Sequence, residues 1–228
     1  MNASNFAFGA LGIVIVGFLA LRKYRKERRK HLLLIERLFV PASALLQGTQ
    51  SGPGESAGSW VVSGTYRDAP FQLRTIIDTL ATRKLPCLWL QVTLQREQDV
   101  PAKIDVMLRP AGLTSFSNFD FLPDTLPNPP NAPVDAVIKS DNAEAASLTM
   151  GAIGPHLKLL ALPRAKELLV TPTGLRLVVQ LSEANRVRYG VFRQADFEGA
   201  EIQSEALLAI MNGLLALEGN LRSDAKHG

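Results

Sequence analysis

Side chains that could carry out catalysis or bind a metal ion are few in this sequence and lie far apart. Histidine occurs at positions 31, 156 and 227, and only His156 lies in the part of the chain with the composition of a folded domain. A zinc site needs several ligands, and no second histidine or cysteine is near His156 in the sequence. The sequence therefore predicts no metal site and no cofactor, and we expect a structural or surface role for His156.

Motifs for nucleotide and phosphate binding are absent from the sequence as well. No Walker or Gly-x-Gly-x-x-Gly pattern occurs. Asp120 and Asp124 could act as an acid and a base, but nothing in the sequence brings a partner to them, and turn or cap roles suit both. The one cysteine, Cys87, excludes an intrachain disulfide and lies in an apolar run typical of buried residues. The sequence thus leans against an enzyme.

Three arginines near the end of the chain are a candidate anion-binding patch. Arg186, Arg188 and Arg193 fall in a segment whose composition predicts a strand over residues 186–193. Because successive side chains of a strand alternate, Arg186 and Arg188 would share one face and Arg193 would take the other. The guanidinium groups could bind phosphate or lipid headgroups, and the alternative is a solvated edge with salt bridges.

A phenylalanine-rich connection is the candidate surface for a protein partner. Residues 110–133 hold six of the fourteen prolines of the chain together with Phe116, Phe119 and Phe121. Loops of this length inside a compact domain are uncommon and are often functional, and exposed aromatic clusters mark interfaces. The alternative is that the three rings fold back onto the core.

The elements that would position these residues begin with an uncharged N-terminal stretch. Residues 1–21 carry no charged side chain, and residues 6–21 are almost entirely apolar. As a helix, the uncharged stretch would be about 32 Å long, which matches the hydrocarbon core of a membrane. A cleaved signal peptide would carry its positive charges before the apolar run rather than after it. We therefore expect one transmembrane helix over residues 6–21, preceded by a short external segment, residues 1–5.

Seven basic residues follow the apolar stretch directly and predict its orientation. Lysine and arginine are retained on the cytoplasmic side, so the N-terminus should lie outside and the remainder in the cytoplasm, with a bacterial inner membrane as the expected location. Residues 22–41 predict a helical stalk whose basic half would contact anionic lipid headgroups. The basic residues are Arg22, Lys23, Arg25, Lys26, Arg28, Arg29 and Lys30.

The basic character of the chain belongs to this stalk and not to the domain that follows. The sequence pI is about 9.4 and the net charge is +4. The seven basic residues and the single acid of the segment, Glu27, give +6, so the rest of the chain sums to −2. A nearly neutral domain has no electrostatic attraction for nucleic acid, and we expect no nucleic-acid partner.

The remainder predicts a flexible linker over residues 42–58 and a soluble α+β domain over residues 59–228. The linker is rich in glycine, serine and other small polar residues. The domain pattern favours a mainly antiparallel sheet with helices on one face. Strands are predicted over residues 60–66, 71–80, 88–94, 104–108, 134–139, 168–171 and 175–181, and helices over 142–150, 155–162 and 201–218.

Local signals predict how some of these elements begin, end and pair. The first two strands and the turn at residues 67–70 predict a hairpin. Asp141 could accept hydrogen bonds from the first turn of the first helix, and Gly219 is the expected stop of the last helix. The apolar side of that last helix is formed by Leu207, Met211, Leu214 and Leu217.

Two functional hypotheses follow from a predicted anchor and a predicted domain, residues 59–228, in which no catalytic motif was found. The first is a single-pass membrane protein whose cytoplasmic domain binds other proteins as an interaction or scaffold module. The alternative is a membrane-tethered enzyme or lipid-binding domain that acts on a lipid or lipid-linked ligand. A pocket with polar groups at its base would favour the alternative, and a closed core with an exposed phenylalanine loop would favour the scaffold.

Overall fold

The computed structural model describes residues 17, 18, 21, 22, 25, 37–55, 59–79, 85–192, 195, 197 and 199–224. The chain divides into two compact units, residues 1–40 and residues 41–228, and the fold given below is that of the second unit. Within the described residues, no helix combines the length and the apolar character that a membrane span requires. The predicted span over residues 6–21 lies almost wholly outside the described residues and stays a prediction. Arg22 and Arg25 of the basic stalk are exposed, and its other five basic residues lie outside the described part.

The described strands of the second unit form one antiparallel sheet with the order β1-β2-β3-β4-β9-β8-β5-β7-β6. This confirms the predicted α+β class with a mainly antiparallel sheet. The strands are β1 Gln47–Pro53, β2 Trp60–Tyr66, β3 Ala69–Asp78, β4 Cys87–Leu94, β5 Ile104–Leu108, β6 Asp124–Leu126, β7 Ala136–Ser140, β8 Ala165–Thr171 and β9 Gly174–Glu183.

The predicted hairpin is confirmed by β2 and β3, which pair from Trp60↔Thr75 to Tyr66↔Ala69. Its turn consists of Arg67 and Asp68, both with positive φ, at 50° and 60°. Two consecutive left-handed residues are the geometry of a two-residue hairpin turn whose twist matches that of the flanking strands.

Helices cover one face of the sheet. The Tyr66 hydroxyl donates to Asn212 Oδ1 at 3.1 Å, which places α4 on the face formed by Phe71 and Leu73. The side of α4 predicted to be apolar is buried through Leu207, Met211, Leu214 and Leu217. The helices are α1 Val40–Leu45, α2 Ala143–Ile153, α3 Arg186–Phe192 and α4 Ser204–Asp224, with 3-10 helices at Phe119–Phe121 and Gly154–Ala161. The stop predicted at Gly219 is therefore wrong.

The linker predicted over residues 42–58 is wrong in its described part. Val40–Leu45 is helical, and Gln47–Pro53 is a strand that pairs with β2. The strand lies at the edge of the sheet and its residues are mostly exposed, so it buries few apolar side chains. Its composition resembles a linker because an exposed edge strand does not need an apolar face.

The strand predicted over residues 186–193 is also wrong, because residues 186–192 form α3. Asn185 begins this helix, since its Oδ1 accepts hydrogen bonds from the backbone N–H groups of Val187 at 3.0 Å and Arg188 at 3.1 Å. Asparagine is among the best residues for the N-cap position of a helix. A second cap is shifted by one residue, because Asn142 rather than Asp141 accepts from the first turn of α2, at Ala145 N.

Candidate functional site

The face of the sheet opposite the helices carries a pocket of about 710 Å³. Its floor is formed by side chains of β3, β4, β5, β8 and β9, and its wall by the loop of residues 109–123. The lining residues are Arg74, Ile76, Gln91, Lys103, Asp105, Leu113, Thr114, Ser115, Phe116, Ser117, Asn118, Phe121, Leu122, Leu169, Thr171, Pro172, Thr173 and Arg176. We call this cavity the floor pocket.

Strand register brings the charged floor residues together. Arg74 of β3 lies directly opposite Gln91 of β4. Leu169 of β8 lies between Arg176 of β9 and Asp105 of β5, because it is the register partner of both. Side chains that are register partners point to the same face of a sheet. The floor is therefore a polar row on the loop-covered face, whereas the opposite face is apolar.

The loop is held on this face by two aromatic side chains and a buried amide. Phe116 and Phe119 lie in one buried cluster with Trp89, and the rings of Trp89 and Phe116 are 4.5 Å apart between centroids. Gln91 Nε2 donates to the Phe116 carbonyl oxygen at 2.9 Å. Buried polar groups that bond to loop backbone fix its position because leaving them unpaired is costly.

These contacts correct the predicted phenylalanine surface. Phe116 and Phe119 are each 3% exposed, so they belong to the core and cannot form a docking surface. Phe121 is 72% exposed and Leu113 of the same loop is 61% exposed. Both also line the floor pocket, so part of its rim is apolar.

Two carboxylic acids lie side by side beneath the loop. Asp105 is 2% exposed and Glu167 is fully buried. The Ser117 hydroxyl donates to Glu167 Oε1 and lies 3.4 Å from Asp105 Oδ2, and it accepts from Phe119 N at 3.0 Å. Ser117 thus links the loop to both acids, and the three side chains form one hydrogen-bonded group.

Burial favours the protonated form of each acid in this pair. Burial, followed by the repulsion from Glu167, raises the pKa of Asp105 to about 9, although the charge of Arg176 opposes the shift. Burial also raises the pKa of Glu167, against the lowering effects of Ser117 and Arg176. Two adjacent carboxyl groups in a dry site cannot both ionise cheaply, so the pair retains at least one proton.

Several polar atoms of the floor have unused hydrogen-bonding capacity. Asp105 Oδ1, Glu167 Oε2 and Arg176 Nε are buried atoms with no hydrogen-bond partner in the described part of the protein. Asp105 and Arg176 line the floor pocket. Buried polar atoms without a partner are rare, and each requires an explanation such as an unseen ligand.

The electrostatics of the floor pocket favour an anion. Arg74, Lys103 and Arg176 contribute three positive charges to the lining, and Asp105 is the one acid among the lining residues. Because the pKa of Asp105 is raised to about 9, its carboxyl is neutral near pH 7 and does not cancel these charges. Arg74 is partly engaged, since its Nε donates to Ser59 Oγ at 3.1 Å. Among the described residues, no three His, Cys, Asp or Glu side chains come together to hold a metal ion.

The other residues singled out from the sequence lie apart from the floor pocket. Arg186 and Arg188 are exposed on α3, and the side chain of Arg193 is outside the described residues. Since α3 is a helix, the alternation assumed for these arginines does not apply. His156 is buried, and burial together with the charge of Lys158 lowers its pKa.

The predicted turn or cap role of Asp124 is confirmed. Its Oδ2 accepts from Ala143 N at 2.8 Å, at the start of α2. Sequence reasoning missed Asp105, Glu167 and Arg176. The available signal was a charged residue in the middle of an otherwise apolar strand, as in Ile104–Leu108.

Comparisons with known proteins give a likeness to solved structures only. No protein-family description matches the chain, and no curated protein matches it. Among solved structures, the chain is similar to the crystal structure of the mycobacterial trehalose monomycolate transport factor A, TtfA. The sequence identity is 13%, the TM-score is 0.42, and the alignment covers 83% of this chain and 92% of that one. The function is therefore argued from the site itself.

Proposed function

We propose that this chain is a single-pass membrane protein whose globular unit, residues 41–228, binds an anionic amphiphile such as a lipid or a lipid-linked molecule. The binding site is the floor pocket. The proposal assigns the anionic group of the ligand to the charged floor and its apolar chain to the rim.

The observation that carries the proposal is that charged and apolar side chains line the same cavity. Lys103 and Arg176 lie among the same lining residues as the exposed side chains of Leu113 and Phe121. Exposed large apolar side chains beside a pocket indicate a ligand or partner that covers them. A purely polar anion would leave this rim in water, whereas an amphiphile would bury it.

The membrane anchor predicted from the sequence supports the same ligand class. The apolar residues 6–21 and the basic residues 22–30 predict an anchor and a surface that attracts anionic lipids. A protein held at a membrane meets amphiphiles at high local concentration, which favours their binding to the floor pocket.

The test is a titration with laurate, an anionic amphiphile, of the full chain held in phosphatidylcholine nanodiscs. Empty nanodiscs give the background. We expect saturable binding that Arg176→Gln weakens about tenfold or more, as is typical for the loss of a charge-assisted hydrogen bond. The matched control is Arg186→Gln, which removes an exposed arginine outside the pocket and should leave the affinity within about twofold.

Two further ligands separate the parts of the proposal. Butyrate has the same anionic group without the long chain, and dodecanol has the chain without the charge. Both should bind much more weakly than laurate. Equal affinity for butyrate and laurate would exclude an amphiphile site. An equal loss of laurate affinity in the Arg176→Gln and Arg186→Gln variants would exclude the floor pocket as the binding site.

A protein-binding role for residues 110–133 is the second candidate function. Its support is the exposure of Phe121, at 72%, and of Val134 next to this segment, at 102%. A partner retained by the full chain and lost on Phe121→Ala with Val134→Ser, while laurate affinity is unchanged, would favour the scaffold function. Loss of laurate binding without loss of any partner would favour the amphiphile site.

A further inference from the structure

A second cavity lies at the end of the sheet where β5 ends and β8 begins. Its volume is about 500 Å³, and it shares no lining residue with the floor pocket. Residues 131–135 and the 3-10 helix Gly154–Ala161 form its sides, and Leu108 and Ala165 belong to the strand ends. We call this cavity the strand-end pocket.

The lining of the strand-end pocket is basic. Arg109, Lys158 and Arg164 contribute three positive charges, and Asp135 is the one acid among the lining residues. Arg109 Nη1 and Asp135 Oδ2 are 2.8 Å apart, and their side chains are 70% and 41% exposed. A pair this exposed is weak and can be displaced by a stronger anion. The lining therefore has a surplus of two positive charges.

Two of these arginines occupy a backbone conformation that suits glycine. The φ angle is 44° at Arg109 and 61° at Arg164. In the described part of the chain, the other non-glycine residues with positive φ are Arg67 and Asp68, which form the hairpin turn between β2 and β3. Glycine would hold the conformation of Arg109 and Arg164 at lower cost. Strain retained at two positions of one pocket indicates that their side chains are needed there.

Hydrogen bonds on both sides hold these two strained residues in place. Arg109 N donates to the Asp135 carbonyl oxygen at 2.8 Å, and Lys166 Nζ donates to the Arg109 carbonyl oxygen at 2.7 Å. The Arg164 carbonyl oxygen accepts from Gln180 N at 2.9 Å. The Arg164 guanidinium donates to the Leu181 carbonyl oxygen at 2.8 Å. The backbone of both residues and the guanidinium group of Arg164 are thus positioned before any ligand arrives, which reduces the entropy cost of binding.

We propose that the strand-end pocket binds a phosphate-type oxyanion between Arg109, Lys158 and Arg164. Guanidinium groups match the geometry of phosphate oxygens and can bind them in pairs. The phosphate can be free in solution or can belong to a phosphorylated headgroup, and both present the same oxygens. This site is independent of the floor pocket, since the two share no lining residue and the strand-end pocket needs no apolar chain.

The experiment is calorimetric titration of the full chain, in neutral detergent micelles, with inorganic phosphate and with sn-glycerol phosphate. Arg109→Gly and Arg164→Gly should each weaken phosphate binding about tenfold. Each substitution also relieves a strained φ, so the thermal midpoint should stay unchanged or rise. Loss of binding without loss of stability is a result that general unfolding cannot produce.

The chain offers a matched control in Arg67→Gly. Arg67 is also an arginine with positive φ, at 50°, but it lies in the hairpin turn and outside the strand-end pocket. This variant should keep the phosphate affinity of the unsubstituted protein. Asp135→Asn removes the competing carboxylate and should raise the affinity severalfold.

Each outcome of the titration decides between the alternatives. Tighter binding of sn-glycerol phosphate than of inorganic phosphate identifies a headgroup site, and the reverse order identifies a site for free phosphate. No binding of either probe overturns the proposal. It is also overturned if Arg67→Gly weakens binding as much as Arg109→Gly and Arg164→Gly do. Arg176→Gln, in the floor pocket, should leave this phosphate titration unchanged. The proposals for the two sites can therefore be refuted separately.

Discussion

Replacing Asp105 with asparagine should make the stability of the protein less dependent on pH. In the folded state the pKa of Asp105 is raised from 3.8 to about 9, chiefly by burial and next by the charge of Glu167. The folded protein therefore keeps a proton that the unfolded chain releases at neutral pH. A state that binds more protons is favoured at low pH, so stability falls as the pH rises between these two pKa values.

The size of the effect follows from counting protons. Each proton that the folded state holds in excess changes the free energy of unfolding by about 1.4 kcal/mol per pH unit. From about pH 6 to pH 8, one such proton lowers stability by about 3 kcal/mol. The raised pKa of Glu167 acts in the same direction. Asparagine at position 105 has no proton to retain, so the slope should fall by about 1.4 kcal/mol per pH unit.

Asparagine is also a good structural substitute at position 105. Its amide offers one donor side and one acceptor side, as a protonated carboxyl does, and its shape is nearly the same. The variant should therefore fold, and because it avoids the cost of a buried ionisable group it should be the more stable protein at the upper end of the pH range.

The assay is urea unfolding of the full chain in neutral detergent micelles at several pH values between about 6 and 8, with stability taken by linear extrapolation. Asp120→Asn is the control, because this carboxyl is exposed and its loss should leave the slope unchanged. Equal pH slopes for the unsubstituted protein and Asp105→Asn would refute the raised pKa of Asp105 and the account of the pocket floor that depends on it.

Two further predictions concern the loop and a strand junction. Phe116→Ala should destabilise the protein by about 3–5 kcal/mol because it empties part of a buried cluster, whereas Phe121→Ala should change stability by less than about 0.5 kcal/mol; chemical denaturation of both variants checks this, and equal effects would contradict the burial assigned to them. Gly174→Ala should lower the free energy of unfolding by about 1–3 kcal/mol, because a Cβ there would collide with the Leu94 carbonyl oxygen. An unchanged thermal midpoint would show that the backbone relaxes to avoid this collision.

The strands were predictable where one face is apolar and the other polar. β4 shows this alternation, and so does the β2–β3 hairpin with its two-residue turn. Pairing order was not predictable, because β4 pairs with β9, which lies far along the chain. A local sequence pattern does not show which distant strand pairs with a given strand, since that pairing depends on the packing of all the other strands.

The errors in secondary structure arise where local signals compete. Residues 186–192 contain valine, tyrosine and phenylalanine, which favour strands. The side chain of Asn185 nevertheless caps the first turn and starts a helix. At Gln47–Pro53 the opposite occurs, since glycine and serine predict a linker while pairing with β2 holds an exposed strand. In both cases a few hydrogen bonds outweigh composition.

The floor pocket was hidden from sequence reasoning for a different reason. Asp105 lies alone in an apolar strand, and alternation would assign its face to solvent. The loop of residues 109–123 covers that face, because Phe116 enters the cluster around Trp89 and Ser117 bonds to the acid pair. A charged residue in a strand therefore has a role that depends on whether a distant segment covers it. Here the loop buries Asp105, which would otherwise face solvent, and its pKa is raised to about 9. Because this acid is neutral, the nearby arginines remain available for an anion.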